Sequence, residues 1–263
     1  MDLEQISWTY RAWRYRLVVE REEIRQLLRC LQPGDTVIDI GAHKGGFTYW
    51  MQKRVGRTGH VYAFEPQPQL ADRLRRMIGP AMESHVTVEN MALSSLNGEM
   101  VLTVPGNSPS PGASLEPLPS NQHECQYYSV PVRTLDSYFF SRITRRVKLI
   151  KCDVEGHEME VFRGGERILR EQQPILIFEC ECRHRQNRSL DSVFDYLSTL
   201  GYTGHFFSNG KLHSIDRFDM ARHQADPAQP IYANNFLFAA RPVPQFSLSQ
   251  DASGFANVAN QVS

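Results

Sequence analysis

The sequence predicts an α/β fold: a mostly parallel sheet with helices on both faces. Two observations carry the prediction. Short apolar runs at 36–40, 60–64, 85–89, 147–152 and 174–179 are separated by segments with helical spacing of apolar residues. Strands that alternate with helices in this way pair in parallel beneath covering layers. The run Thr36-Val37-Ile38-Asp39-Ile40 also enters the turn Gly41-Ala42-His43-Lys44-Gly45-Gly46 and then a helical pattern. Sheets of this class bind ligands at such strand–turn–helix junctions.

The elements follow in order. Residues 3–31 form a helical segment with Trp8, Trp13, Leu17, Ile24, Leu27 and Leu28 as its apolar set, ended by Pro33-Gly34. This sets an N-terminal extension at 1–34 and a main domain at 35–241. A helix over about 45–54 follows the first strand, and Gly56 and Gly59 mark the next loop. After the strand at 60–64, a helix runs from Pro66 to about Ile78 with Leu70, Leu74, Met77 and Ile78 on one stripe. Asn97-Gly98 is a hairpin signal, so 91–95 is expected to pair with 99–104. Residues 105–121 carry five prolines, several serines and two glycines; they read as a mobile lid, drawn at 105–125. A strand at 126–133 precedes the one at 147–152. A short helix near 157–163 stops at Gly164-Gly165, and a helix at 190–200 ends at the C-cap Gly201. Two late strands, 202–207 and 234–240, have no helix between them and are expected to form an antiparallel edge. The tail 242–263 is rich in Ser, Gln and Asn and is expected to be disordered.

Composition narrows the function. The chain has 263 residues, is 41% hydrophobic and has a formal net charge of +0. Phosphate backbones call for a clustered basic surface, so a nucleic-acid partner is not expected. Arg142, Arg145 and Arg146 are read as a solvated turn. No apolar run approaches the roughly 20 residues of a membrane span, and the first thirty residues lack a secretory apolar core. The five cysteines (Cys30, Cys125, Cys152, Cys180, Cys182) are odd in number. Free thiols in a reducing cytoplasm are the expectation.

The turn after the first strand points to a cofactor. The run Val61-Tyr62-Ala63-Phe64-Glu65-Pro66 ends in an acid 24 residues after Gly41, near the offset at which a carboxylate meets a nucleotide ribose. A dinucleotide fingerprint needs a second glycine for the pyrophosphate. Here that position is His43, whose side chain obstructs a pyrophosphate and argues against a NAD-linked oxidoreductase. S-adenosylmethionine has no phosphate. Backbone N–H groups near 43–46, Gly45 included, suit the carboxylate of its amino-acid tail. Asp39 suits the ammonium, and Glu65 suits the ribose diol.

A second motif, Lys151-Cys152-Asp153-Val154-Glu155-Gly156-His157-Glu158, follows the strand at 147–152. It places Asp153, Glu155 and His157 on the same sheet edge as Gly41 and Glu65. Methyl transfer needs alignment, and an alcohol nucleophile needs its proton removed. His157 is the first choice of base, with Asp153 and Glu155 as alternatives; capping of the following helix is the competing role for the carboxylates. A metal held by Asp153, Glu155, His157 and Glu179 or Glu181 is conceivable as a set of hard ligands, but no ligand motif compels it. The spacing Cys180-x-Cys182-x-His184 suits a tetrahedral site poorly. No metal is therefore assigned.

Five blocks occur in order: Val37-Ile38-Asp39-Ile40-Gly41-Ala42, Phe64-Glu65-Pro66, Asn90-Met91-Ala92-Leu93-Ser94, Val132-Arg133-Thr134-Leu135-Asp136, and Ile150 through Glu158. On these the chain resembles the FkbM-type methyltransferases, a branch of the class I S-adenosylmethionine-dependent enzymes, over about residues 35–240. The resemblance implies a Rossmann-like, seven-stranded sheet and O-methylation of a sugar or natural-product hydroxyl. It implies that Asp39, Gly41, Ala42 and His43 line the methionine portion and that Glu65 and Pro66 meet the ribose. Asn90 and Ala92 would border the adenine, and Asp153, Glu155 and His157 would face the transferred methyl. The family often has Asn where His43 stands and a small residue where His157 stands, so His157 as base is read from this chain alone.

Trp8, Tyr10, Trp13 and Tyr15 interleave with Arg11, Arg14 and Arg16. They read either as a cap over the acceptor or, by preference, as a helix packed on the core or on a twin subunit in a homodimer; Trp8 and Trp13, five apart, only partly share a face. Ser114 would touch substrate if the lid folds over the site. The sequence therefore predicts an O-methyltransferase that uses S-adenosylmethionine on a small-molecule or glycan acceptor. The alternatives are a metal-assisted transferase, a NAD-linked oxidoreductase and a non-catalytic nucleoside-binding module.

Overall fold

Thr36–Ile40 (β1) lies near the middle of an eight-stranded sheet and pairs in parallel with His60–Phe64 (β2) on one side and Val147–Cys152 (β7) on the other. The computed structural model describes residues 3–79, 85–117, 124–140, 145–182 and 190–244. Val86–Glu89 (β3) closes one edge in parallel with β2, and Ile175–Glu179 (β8) continues in parallel beyond β7. Asn235–Ala239 (β11) then pairs antiparallel with both β8 and Thr203–Ser208 (β9), and Lys211–Ser214 (β10) is the far edge.

Alternate residues of each strand feed two cores, as a sheet covered on both faces requires. Val37, Leu149, Ile177 and Leu237 face Leu3–Arg14 (α1), Arg21–Cys30 (α2) and Gly46–Val55 (α3), whose Trp8, Ile24, Leu27 and Met51 are buried there. Pro68–Ile78 (α4) covers the same face through Leu74 and Met77. Ile38, Ile150, Phe178 and Phe236 face the opposite core. It is built from Leu135–Phe139 (α5), Glu158–Gly164 (α6), Glu166–Gln172 (α7) and Asp191–Thr199 (α8).

The expected mostly parallel α/β sheet is present, with three differences. There are eight strands, because β10 folds back on β9 as an antiparallel edge. The strand at 234–240 pairs antiparallel with 202–207 as expected, but it lies inside the sheet. Its five residues Asn235–Ala239 are all buried, which only a strand with covered faces and two neighbours accommodates. The hairpin expected at Asn97-Gly98 is absent. Ala92–Leu93 (β4) and Gly98–Pro105 (β5) flank Cys125–Arg133 (β6) in a separate three-stranded sheet ordered β4-β6-β5. The Asn97 side chain instead accepts from Thr134 N (2.9 Å) and Ser137 Oγ (2.7 Å) and so holds the end of β6. Asn97 is not among the residues of positive φ, which the expected tight turn demands at both central positions.

The N-terminal segment packs into the core. Trp8 is 1% exposed, and its indole N–H donates to Gly45 O (2.8 Å). Trp50 of α3 donates in return to Ala12 O of α1 (2.8 Å). Between α1 and α2 the chain makes a five-residue π-helical turn, Tyr15–Val19. All five cysteines are free thiols. No helix among the described residues is long and apolar enough to cross a membrane. Arg142, His184, residues 118–123 of the lid and the tail beyond residue 244 lie outside the described residues.

Truncating Trp8 removes a buried indole and its hydrogen bond together. Trp8→Ala is expected to cost about 3–5 kcal/mol of stability, read as a lower denaturation midpoint in urea; an unchanged midpoint would contradict the docking of α1.

Candidate active site

Three strand ends converge at the C-terminal edge of the sheet. Gly41 and Ala42 donate their N–H groups to Phe64 O at the end of β2 (3.0 and 2.9 Å), and Asp153 N donates to Ile40 O at the end of β1 (3.0 Å). Gly41 has φ +76°, and a Cβ there would lie 1.9 Å from the Asp153 carbonyl oxygen. Only glycine fits that approach. His43 and Glu155 also take left-handed backbone conformations, at φ +48° and +54°, which non-glycine residues seldom adopt outside turns and functional sites.

A cavity with about 530 Å³ of space, part of it open to solvent, lies over this edge. Of the residues expected at the site, Gly41, His43, Glu65, Pro66, Ala92, Asp153 and His157 line it. The others are placed around it. Asp39 is 2% exposed and accepts from the Thr48 hydroxyl at the start of α3 (2.5 Å); burial raises its pKa to about 6 against the pull of that hydroxyl. Ala42 is buried in the core under α1, and Gly45 is packed against Trp8 and Leu74. Asn90 donates to Glu65 O and Pro66 O (2.9 and 3.0 Å) and fixes the loop after β2. Glu155 contributes its carbonyl to a contact described below.

Glu65 is the hub of one end of the cavity. Its carboxylate accepts from His43 N (2.7 Å) through one oxygen and from Gln67 N (2.8 Å) through the other. The sequence reading aimed the His43 amide at a ligand; here it holds Glu65. Burial raises the Glu65 pKa to about 7, the two amides acting against it. Burial also lowers the His43 imidazole to about 4. That ring is therefore neutral, and its buried Nε2 has no hydrogen-bond partner among the described residues. At the other end, Asp153 lies 3.4 Å from the Lys151 ammonium.

Residues 105–117 of the lid segment are folded over the cavity as a roof. Ser114 bridges Thr103 of β5, and its hydroxyl donates to Glu155 O (2.7 Å). Gln67 makes paired hydrogen bonds with the Ser110 backbone (2.9 and 3.0 Å). His157 is 3% exposed and spans Glu116 at Nδ1 (2.7 Å) and Ser94 at Nε2 (2.9 Å). A carboxylate only accepts, so Nδ1–H donates to Glu116, while Nε2 shares a hydrogen bond with the Ser94 hydroxyl. Both ring nitrogens are thus engaged by protein. The roles of Gln67, Ser110 and Glu116 are missing from the sequence reading, because loop residues forty positions apart carry no periodicity that links them. Only Ser114 was singled out. Among the described residues no three of His, Cys, Asp and Glu are grouped as metal ligands.

Residues 39–203 match the Methyltransferase FkbM domain. The chain belongs to the FkbM methyltransferase family. The resemblance drawn from the five blocks is borne out, and with it a nucleoside cofactor, S-adenosylmethionine, in place of a dinucleotide. Hexuronic acid methyltransferase AglP of Haloferax volcanii is 28% identical over 169 residues, which cover 63% of this chain and 64% of that one. The 2-O-methyltransferase NoeI of Sinorhizobium fredii is 28% identical over 159 residues, 55% and 63% of the two chains. The matches thus span under two thirds of these relatives' length. A crystal structure of a methyltransferase FkbM from Methylobacillus flagellatus KT superposes with a TM-score of 0.50 at 15% identity, over 91% of this chain and 55% of that one. It shares the fold.

If the Glu116–His157 contact fastens the roof, Glu116→Ala is expected to speed limited proteolysis of the native protein near residues 106–117 several-fold, mapped by mass spectrometry. An unaltered cleavage rate would argue that the roof is held elsewhere.

Proposed function

We propose that the protein transfers a methyl group from S-adenosylmethionine to a hydroxyl of a sugar or natural-product acceptor. The observation that carries this reading is the cavity that joins a buried, amide-anchored carboxylate at Glu65 to the Asp153–Lys151 ion pair across the glycine turn. The residues present fit the cofactor. Each Glu65 oxygen spends one acceptor site on an amide and keeps capacity for a ribose hydroxyl. The orphaned Nε2 of His43 supplies a further polar contact at the turn. Phe64, Met91, Leu102 and Leu115 give apolar walls for a planar base. When bound, the cofactor supplies an electrophilic methyl carbon.

The chain's residues then do three things. Glu65 and the Gly41 turn fix the nucleoside and its tail. The roof excludes water, which strengthens every polar contact beneath it. Asp153 faces the cavity and accepts the proton of the attacking hydroxyl. His157 was the first choice of base, but its engagement with Ser94 and Glu116 suits it better to positioning the roof and the 153–157 turn. The NoeI and AglP relatives, named for 2-O-methylation and for hexuronic acid, favour a sugar acceptor.

The test is incubation with S-adenosylmethionine and a panel of hydroxylated acceptors, products read by mass spectrometry. Methyl ethers are expected. Cofactor binding without methylation of any hydroxyl would overturn the reading. Because no metal ligand group is described, activity is expected to survive a chelator; its loss, with recovery on adding a divalent ion, would favour the metal-assisted alternative.

Cofactor affinity carries a pH signature. Glu65 accepts from the ribose diol only as a carboxylate, and its pKa in the free protein is raised to about 7. Binding must therefore expel a proton below that value. Affinity measured by calorimetry is expected to be level above pH 7 and to fall by up to about tenfold per unit below it. Glu65→Gln is expected to be weaker throughout and to flatten the profile.

A further inference from the structure

One polar shelf of the molecule lies beside the cavity, and of its residues only Asp153 and its partner Lys151 enter the methyl-transfer reading. On the face covered by α1–α3, the apolar columns of β1, β7, β8 and β11 end in Asp39, Lys151, Glu179 and Asn235, two residues beyond Val37, Leu149, Ile177 and, running antiparallel, Leu237. Asp153 follows Lys151 at the rim. The π-helical turn Tyr15–Val19 brings Glu20 over this edge, where it interacts electrostatically with Lys151 and Asp153. Such turns recur at functional sites because they lift one residue out of helical register.

Two buried groups on the shelf lack a hydrogen-bond partner among the described residues. Lys151 is 1% exposed, and its ammonium, with three N–H donors, has no hydrogen-bond partner among the described residues. Its neighbours are Asp153 Oδ2 at 3.4 Å and the Phe47 ring at 4.9 Å. Asn235, the cross-strand partner of Glu179, is 6% exposed, and its Oδ1 is likewise unmet. Orphaned buried donors and acceptors are costly, and a ligand that brings both hydroxyl donors and acceptors satisfies them.

We propose that this shelf, between Glu20 and the ends of β7, β8 and β11, is the sugar subsite of the acceptor, and that it selects a neutral or amino-bearing ring over a hexuronate. The proposal rests on the sugar O-methyltransferase reading and narrows it. Six carboxyl groups (Glu20, Glu23, Asp39, Asp153, Glu155 and Glu179) act on one another or on Lys151. Arg11 and Arg14 act on Tyr15 beside the shelf. Burial raises Glu20 to about 7 and pushes Glu23 and Glu179 well above the usual carboxylate range, so the shelf already holds protons that an entering ammonium displaces. An entering carboxylate instead adds a further buried negative charge to a cluster whose described cation, Lys151, is already paired with Asp153, and burying a charge without a partner is costly. Glu20 and Asn235 lie outside the segment 39–203 that matches the family model, so the family match does not extend to these two residues of the shelf.

Methyl glucoside, methyl glucosaminide and methyl glucuronide are the probes. Their binding to the full chain loaded with S-adenosylhomocysteine is measured by calorimetry, and methyl transfer to each is measured separately. The glucoside and glucosaminide are expected to bind at least about tenfold more tightly than the glucuronide, and Glu20→Gln to cut the advantage of glucosaminide over glucoside by about threefold or more. Equal or tighter binding of the glucuronide, or no binding of any of the three, overturns the shelf. Binding in the expected order without methylation leaves the shelf standing and overturns the methyl-transfer reading. If Glu20→Gln does not fold, the order of the three glycosides on the unaltered protein still decides.

Discussion

The site depends on one close approach between two backbones. The Gly41 turn lies so near the Asp153 carbonyl that a single added carbon has no room. That contact lets the ends of β1, β2 and β7 share a corner a few ångströms across, tied by the Gly41, Ala42 and Asp153 amides. Within that corner Glu65 reaches the His43 amide from the next strand. The carboxylate then fixes the turn from one side while Asp153 fixes it from the other. A cavity with an acid at each end follows from this backbone arrangement.

Energetically the corner is expensive and the rest of the fold carries it. His43 and Glu155 sit in conformations that cost of order 1–3 kcal/mol each. Asp39, Glu65 and Lys151 are buried ionisable groups, which an apolar interior disfavours. What offsets them is the two-faced core, aromatic on the α5–α8 side through Tyr138, Phe162, Phe178 and Phe236 and sealed by Trp8 on the other. The N-terminal segment therefore belongs to the scaffold as well as to the edge of the site.

Much of this was legible in the sequence because it is local. Val37 to Gly41, Val61 to Glu65 and Ile150 to Asp153 are each a strand with its own turn, and short-range patterning suffices to find them. The order of the five blocks then gave the family. What was not legible depends on pairing across long separations. Asn97-Gly98 reads as a hairpin until the side chain of Asn97 is seen capping the end of β6. The pair 202–207 and 234–240 reads as an edge because no helix separates its strands, yet the burial of Asn235–Ala239 goes with a place between β8 and β9. His157 reads as a base because histidine beside carboxylates is chemically apt; that Ser94 and Glu116 occupy its nitrogens is a fact of three distant segments. Lys151 reads as one polar residue in a strand, and only the sheet register shows it standing level with Asp39.

The distribution of the indoles has an experimental consequence. All three tryptophans of the chain, Trp8, Trp13 and Trp50, lie at the seam between α1 and α3. Trp13 and Trp50 have ring centroids 5.0 Å apart, and Trp8 meets Tyr49 at 5.2 Å. Intrinsic fluorescence is therefore a local reporter of that seam and is nearly blind to the far side of the sheet. Emission followed alongside far-ultraviolet circular dichroism separates undocking of the amino-terminal helices from melting of the strands, with no label attached.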